Sequence, residues 1–484
     1  HRTCRRRFAV MRSAPVPPID LSAPKRVHVI GVGGPGMSAI AIVLAEMGHS
    51  VSGSDIRERT VLDRVRAAGV DVRVGHSRDL VHDRDAVTWS TAVPARNIER
   101  DEADRAGVLS MHRSGMLAAI CARAKSLAVA GTHGKTSTTS MLMLMLAEAG
   151  LRPNFVIGGD VTDMGTGAQW TGSEWLVVEA DESDGTHLQL PLYGTILTNV
   201  EVDHLEHYGT FDAIVEGFDH YLAQVPGPKV LCVDDSTTAR LATAHDCITY
   251  GTSPAAEFRA VNVRAGEGSF AFDVLHRGAQ LGSVSLPLRG VHNVRNATGA
   301  LAMAVTIGVP FHVAAAALAK FGGVARRFDV RGVDGGATLV DDYAHLPSEI
   351  AAVLAAARHS GDGWNRVVAV FQPNRFNRMV NMWPDYHSAF IDADVVVLTE
   401  IYASGTAPIP GVTGKLVVNA VLDAHPFVRV VWMPKRTDLV EFLARELVSG
   451  DVCISMGCGD IAALPDEVQS RRSQLRAQRM LGST

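Results

Sequence analysis

One seven-residue loop, Gly131-Thr-His-Gly-Lys-Thr-Ser137, constrains this chain more than any other segment. An apolar run, Ser126–Ala130, precedes it and a helix-like run, Thr138–Ala149, follows it. A strand, a glycine loop and a helix in that order turn backbone N–H groups and a lysine ammonium toward one anion, and the helix adds its positive end. The loop is not a regular phosphate loop, because Val129 stands six positions before Lys135, where the usual motif has glycine. Its order of elements is nevertheless that of a nucleotide site. Lys135 is suited to neutralising β- and γ-phosphates, and the Thr136 hydroxyl to ligating Mg²⁺. The plain alternative, a glycine turn with a surface lysine, leaves the two flanking elements unexplained.

Acids gather downstream. Glu179 and the cluster Asp181-Glu182-Ser-Asp184 end a strand-like run, Glu174–Ala180. Carboxylates crowded together repel unless a cation joins them, and Mg²⁺ beside a phosphate loop is such a cation. His204 ends another run, Asn199-Val-Glu-Val-Asp-His204, as a second metal ligand or as a histidine bonded to a neighbouring carboxylate.

At 484 residues the chain has room for about three domains of roughly 150 residues. Hydrophobic residues make up 47%, enough for real cores, and the net charge of −5 does not mark a nucleic-acid binder. Six scattered cysteines form no C-x-x-C pair, which fits a reducing, cytoplasmic setting. No apolar stretch reaches the roughly 20 residues of a membrane helix. Residues 1–24 are arginine- and proline-rich and read as a disordered basic tail, with Met11 a plausible start.

The rest alternates between strand and helix signals. Arg26–Ile30 reads as a strand, followed by the glycine turn Gly31-Val-Gly-Gly-Pro-Gly36, a helix over Met37–Met47 and a strand ending at Asp55. Ser110–Ala124 reads as a connection into the second segment. Short alternating runs over Phe258–Leu288 suggest an antiparallel insertion, and His292–Ile307 a helix. A third α/β unit follows, with strands at Thr338–Asp342, Arg366–Phe371, Val395–Thr399, Val428–Val431 and Val452–Ser455, and a helix over Pro347–Arg358. The fold class is therefore α/β, in segments 25–121, 122–326 and 327–484. Asp55 also allows a nicotinamide-type ribose contact at the first turn.

Several motifs in one order resemble the Mur ligases of bacterial cell-wall synthesis. They are Gly31-Val-Gly-Gly-Pro-Gly-Met37, Gly131–Thr136, Glu179–Asp184, Thr198–His204, His292-Asn-Val-Arg-Asn296, Arg326-Arg-Phe328, Asp341-Asp-Tyr-Ala-His345 and Phe371-Gln-Pro-Asn-Arg375. The resemblance implies a three-domain architecture: a Rossmann-like N-terminal domain, a central P-loop ATPase-like domain and a Rossmann-like C-terminal domain. It implies ATP-driven joining of L-alanine to the carboxylate of UDP-N-acetylmuramate, with Mg²⁺ as cofactor. The first domain would hold the UDP substrate through Gly31, Gly33, Gly34, Gly36, Met37 and Asp55. ATP would meet Gly131, Thr132, His133, Gly134, Lys135, Thr136, Ser137, Asn293, Asn296 and Arg327. Thr136 and Glu179 would hold one Mg²⁺ and His204 would serve a second. His345, Arg375 and Arg378 would lie near the acceptor amino acid. Lys135, Glu179, His204, Arg327 and His345 make up the expected catalytic set. The resemblance is compatible with a homodimer and implies neither nucleic acid nor membrane insertion.

Three positions depart from the family pattern. Leu346 and Asn374 stand where histidine is expected, and Thr406 where an acid is expected. A related ligase that adds a peptide is the rival enzymatic reading, and a nucleotide-binding protein without ligase activity the non-enzymatic one.

Overall fold

The computed structural model describes residues 17–481. Three sheets follow one another along the chain. The first comprises β1 (Arg26–Ile30), β2 (Ser50–Asp55), β3 (Asp71–Val74), β4 (Ala86–Trp89) and β5 (Leu109–His112), in the order β3-β2-β1-β4-β5. All its pairings are parallel. The chain moves outward from β1 to β3, then returns to the other side of β1. The glycine turn after β1 therefore sits where the strand order reverses, the usual crevice of such sheets.

The second sheet comprises β6 (Lys125–Ala130), β7 (Asn154–Val161), β8 (Thr166–Gln169), β9 (Trp175–Glu179), β10 (Gly194–Leu197), β11 (Lys229–Cys232), β12 (Ile248–Gly251), β13 (Phe258–Gly266), β14 (Ser269–His276) and β15 (Ala279–Leu286). β6 lies between β9 and β10 and is parallel to both. The third sheet comprises β16 (Asp329–Asp334), β17 (Ala337–Asp342), β18 (Arg366–Phe371), β19 (Val395–Leu398), β20 (Arg429–Trp432) and β21 (Asp451–Met456), ordered β16-β17-β21-β18-β19-β20. Only β16 is antiparallel to its neighbour there.

By compactness the chain forms two units. One holds residues up to Val263 together with Phe272–Leu286 and Val294–Gly322, and the other holds Arg264–Ala271, Pro287–Asn293 and Gly323 onward. In the first unit the helix Pro35–Glu46 is buried from Met37 to Leu44. It packs on β2 and also on β7 and β8, so apolar side chains are needed on more than one face. The phosphate-loop helix, Lys135–Glu148, is likewise buried from Thr136 to Met143. In the second unit, apolar clusters cover both faces of the third sheet. Val340, Ala369 and Ile454 point to one cluster, and Leu339, Val368 and Cys453 to the other, as the two-residue period of a strand requires.

Two expectations change. Residues 1–16 of the expected tail, with Met11, lie outside the described residues, but the tail does not extend to residue 24. Leu21 is 4% exposed and joins the core of the first unit, with Ile19 packed against it. Ser110–Ala124 is not a mere connection. It forms the edge strand β5 and a helix, Arg113–Cys121, buried from Ser114 to Cys121.

Candidate active site

Sheet register assembles the central site. β6 ends at Ala130, with Glu179 of β9 beside Val129 and Leu197 of β10 beside Ala130. The loops that leave these three strands thus emerge at one edge. The 131–137 loop is tied to the loop after β10: the Asn199 carbonyl accepts from Thr132 N (3.0 Å) and its side-chain oxygen from His133 N (2.8 Å). The Thr198 hydroxyl donates to the His133 carbonyl at 2.6 Å. Gly131 is required by close approach, since a Cβ there would lie 2.2 Å from Thr198 Oγ1.

Lys135 folds over the mouth of this loop. Its ammonium donates to the carbonyls of Gly131 (2.6 Å) and Thr132 (3.1 Å) and to Glu182 Oε1 (2.9 Å), with Glu182 Oε2 at 2.8 Å. Burial alone would lower its pKa, but Glu182, Asp181 and Glu179 outweigh burial and hold it above the ordinary lysine value. The ammonium therefore stays charged, with a carboxylate as its partner. The Thr136 hydroxyl donates to Glu179 Oε1 at 3.3 Å, and Glu179 Oε2 accepts from Gly158 N at 2.9 Å. His204 has left-handed backbone (φ 52°) and places Nε2 3.1 Å from Asp203 Oδ2 and 4.0 Å from Glu182 Oε1. Asn296 is buried with its amide against Gly134.

The donor set fits Mg²⁺. Among the described residues no three His, Cys, Asp or Glu side chains converge into a metal cage. Mg²⁺ rarely uses one, and takes one or two protein oxygens with phosphate and water completing an octahedron. Thr136 Oγ1 and Glu179 Oε1 are two hard oxygens 3.3 Å apart beside the 131–137 loop.

The first glycine turn is held by the end of β2. Ser54 O accepts from Gly31 N (2.8 Å) and Val32 N (3.0 Å), and Asp55 Oδ2 accepts from Gly33 N (2.9 Å). Asp55 Oδ1 accepts from Arg57 N at 3.2 Å, so both carboxylate oxygens shape the turn. Met37 is buried, 2% exposed, with its Cγ 3.9 Å from where a Cβ on Gly34 would stand. Arg113 reaches from its helix to the acidic segment after β9: Nη2 lies 2.5 Å from Asp181 Oδ2 and 2.8 Å from Asp184 Oδ2, and Nε donates to Asp184 at 3.0 Å. Burial would raise the Asp181 pKa, but Arg113 and Lys135 hold it well below the usual carboxylate range.

In the second unit, the Arg327 guanidinium lies 5.3 Å from the centre of the Tyr343 ring. His345 donates its backbone N–H to Glu349 (2.9 Å), and its Nδ1 is 3.2 Å from the same carboxylate. Arg375, with φ 61°, and Arg378 follow β18; the charges of both, and that of Arg326, act on the Cys458 thiol. Asn293 donates its side-chain amide to Arg289 O at 2.8 Å. Asp342 is buried and accepts from Phe328 N and Ala344 N, both at 2.7 Å; burial pushes its carboxyl up to about 6. The three departing residues have structural roles. Leu346 is 3% exposed. Asn374 accepts from Arg378 Nη1 at 2.8 Å. The Thr406 hydroxyl accepts from Phe376 N (3.0 Å) and donates to Ala403 O (2.6 Å).

Sequence reasoning did not single out Arg113, Asn199 or Asp342. Asn199 and Asp342 end apolar strand runs, a signal that could have found them. Arg113 had none, because its partners lie 68 and 71 residues away.

The chain matches three family models end to end: "Mur ligase family, catalytic domain" over residues 26–125, "Mur ligase middle domain" over 129–304 and "Mur ligase, glutamate ligase domain" over 326–459. It is 40% identical over 452 residues to the UDP-N-acetylmuramate–L-alanine ligase of Pelotomaculum thermopropionicum, covering 92% of this chain and 97% of that protein. To the ligase of the same name from Rubrobacter xylanophilus it is 42% identical over 453 residues, covering 92% and 100%. Among solved structures it is similar to the UDP-N-acetylmuramate–alanine ligase of Thermotoga maritima, with TM-score 0.79, 27% identity and 93% and 99% of the two chains covered. A murein peptide ligase from Psychrobacter arcticus shares the fold, with TM-score 0.66 and 23% identity.

Proposed function

The chain belongs to the Mur ligase family, and on that premise we propose that it joins L-alanine to the carboxylate of UDP-N-acetylmuramate, driven by ATP. The observation that carries this reading is the full-length similarity to two ligases of that name. The geometry of the Lys135 loop supports it.

A carboxylate is a poor electrophile, and its oxygen is a poor leaving group. Transfer of the γ-phosphoryl of ATP to the substrate carboxylate breaks the bond to ADP and forms an acyl phosphate. The alanine amine then attacks the acyl carbon, and inorganic phosphate leaves from the tetrahedral intermediate as the amide forms. No enzyme nucleophile takes part, which suits thiols made inert by burial, such as Cys121 and Cys453, each pushed up to about 12. Lys135 exchanges Glu182 for phosphate oxygens when nucleotide enters, so its charge is in place before charge develops on the transferring group. Thr136 and Glu179 would hold Mg²⁺, which would supply neutralising positive charge to the nucleotide. His204 stands at a second cation position, beside Asp203 and Glu182. Gly131 to Ser137, with Asn293 and Asn296, hold ATP, and Arg327 meets its γ-phosphate. Gly31 to Gly36 and Asp55 form the turn that receives the UDP diphosphate. His345, Arg375 and Arg378 serve the amino acid. This divides the work among residues 25–121, 122–326 and 327–484, in a protein that we place in the cytoplasm. Among the described residues no helix is long and apolar enough to cross a membrane.

The test is ADP release with UDP-N-acetylmuramate and a panel of L-alanine, glycine, L-serine and a short peptide. L-alanine gives the highest kcat/KM. Preference for the peptide would move the chain to the peptide-adding branch, and ATP binding without acceptor-dependent ADP release would remove the ligase reading.

A further inference from the structure

Arg113 is a basic side chain that reaches from the acidic segment after β9 to the first glycine turn. One edge of its guanidinium is clamped: Nε and Nη2 face Asp184 and Asp181 at 2.5 to 3.0 Å, beside the phosphate loop. The other edge faces the first glycine turn. A Cβ built on Gly36 would lie 3.0 Å from Arg113 Nη1, so glycine there leaves room for the guanidinium. Gly36 lies in the first turn of the helix Pro35–Glu46, where backbone N–H groups lack partners within the helix. The clamp is itself supported. His112 Nε2 lies 3.6 Å from Asp184 Oδ2, and the Ser114 hydroxyl donates to Gln189 at 2.9 Å.

A guanidinium has five donors in a rigid fork. Two carboxylates occupy the Nε and Nη2 edge and fix the plane, while Nη1 makes no hydrogen bond among the described residues and points to the turn. We propose that Arg113 binds the diphosphate of the nucleotide-sugar substrate through Nη1, and that Asp181 and Asp184 act as positioning residues that aim it. The inference rests on the reading of the first turn as the UDP site and adds a residue which that reading did not contain. It also links the two sites physically. Asp181 feels both Arg113 and Lys135, so the guanidinium that meets one substrate is held by the acids beside the other.

Calorimetric titration of UDP, UMP, UDP-N-acetylmuramate and ADP into the full chain and its variants tests this. Loss of one charge-assisted contact predicts that Arg113→Ala weakens UDP and UDP-N-acetylmuramate roughly tenfold to a hundredfold. The advantage of UDP over UMP shrinks by a similar factor, and ADP affinity stays within about twofold. A merely structural role would weaken UDP and UMP alike. Asp184→Asn, which removes one carboxylate of the clamp but keeps the Arg113 charge, gives an intermediate loss for UDP. If Arg113→Ala does not fold, Arg113→Lys carries the test, because a point charge without the fork loses severalfold in UDP affinity. A folded Arg113→Ala, or in its place Arg113→Lys, that binds UDP as the wild type does overturns this inference alone. A wild type that binds neither UDP nor UDP-N-acetylmuramate overturns it together with the reading on which it rests.

Discussion

Lys135 and Glu182 form a buried ion pair at the proposed phosphate site, with side chains 13% and 6% exposed. Removing one partner of such a pair leaves an uncompensated charge and costs about 3–5 kcal/mol, whereas removing both charges costs much less. Lys135→Ala should therefore abolish ADP release and also lower the urea midpoint. Adding Glu182→Gln should restore the midpoint without restoring activity. Recovery of activity in the double variant would mean that Lys135 only neutralises Glu182. Asp342 gives a second test, through pH. Its carboxyl is pushed from 3.8 up to about 6 by burial, so between those values the folded chain binds a proton that the unfolded chain has released. Stability then falls as pH rises through that window and is level above it. About two pKa units correspond to about 3 kcal/mol. Asp342→Asn should gain on the wild type by that amount between pH 4 and pH 7, on top of a pH-independent offset from its altered hydrogen bonds to Phe328 and Ala344. Parallel pH profiles of the urea midpoint would refute the assignment.

Among the elements, the phosphate loop depends on the backbone of Gly134 at φ 78°, with Asn296 Oδ1 2.6 Å from where a Cβ would stand. Gly134→Ala adds about 1–2 kcal/mol of left-handed strain and displaces a buried amide. It should raise the ATP KM at least tenfold and leave UDP binding unchanged; an unchanged ATP KM would show that the loop can relax without loss. The same loop shows what a sequence can and cannot reveal. Lys135, Thr136 and the strand before them are local, so their spacing alone announces them. The helix Pro347–Arg358 and strand β18 were legible to the residue, because a proline starts one and an unbroken apolar run makes the other. The helix Arg113–Cys121 was not, since Gly115 interrupts it and its apolar stretch is short. Strand β16 was missed for a similar reason, as its burial is only partial along its length. The acids that partner Lys135 and Arg113 were legible as a cluster, but their pairing with these two side chains was not. Glu182 is 47 residues from Lys135, and only the parallel register of β6 with β9 brings them together.

For the whole molecule, the two compact units each enclose their own apolar core. Leu44, Val178 and Leu222 belong to one, and Leu354, Phe371 and Ile454 to the other. Separate cores predict that calorimetry resolves two unfolding transitions. The proposed UDP turn and phosphate loop both lie in the first unit, so their ligands should stabilise that transition more than the other. A ligand at a hundred times its Kd contributes about 2.7 kcal/mol, which raises the midpoint of a large domain by several degrees. UDP-N-acetylmuramate with a non-hydrolysable ATP analogue should shift the transition of the first unit by this amount or more, while L-alanine alone leaves it in place. Hydrogen exchange read by mass spectrometry assigns each transition, because the protected peptides of β1, β6 and β10 should follow the ligand-sensitive one. A single transition that moves as a whole would show that the units unfold together, and a shift confined to the peptides of β17, β18 and β21 would place nucleotide binding in the second unit and remove the Lys135 loop from the reaction.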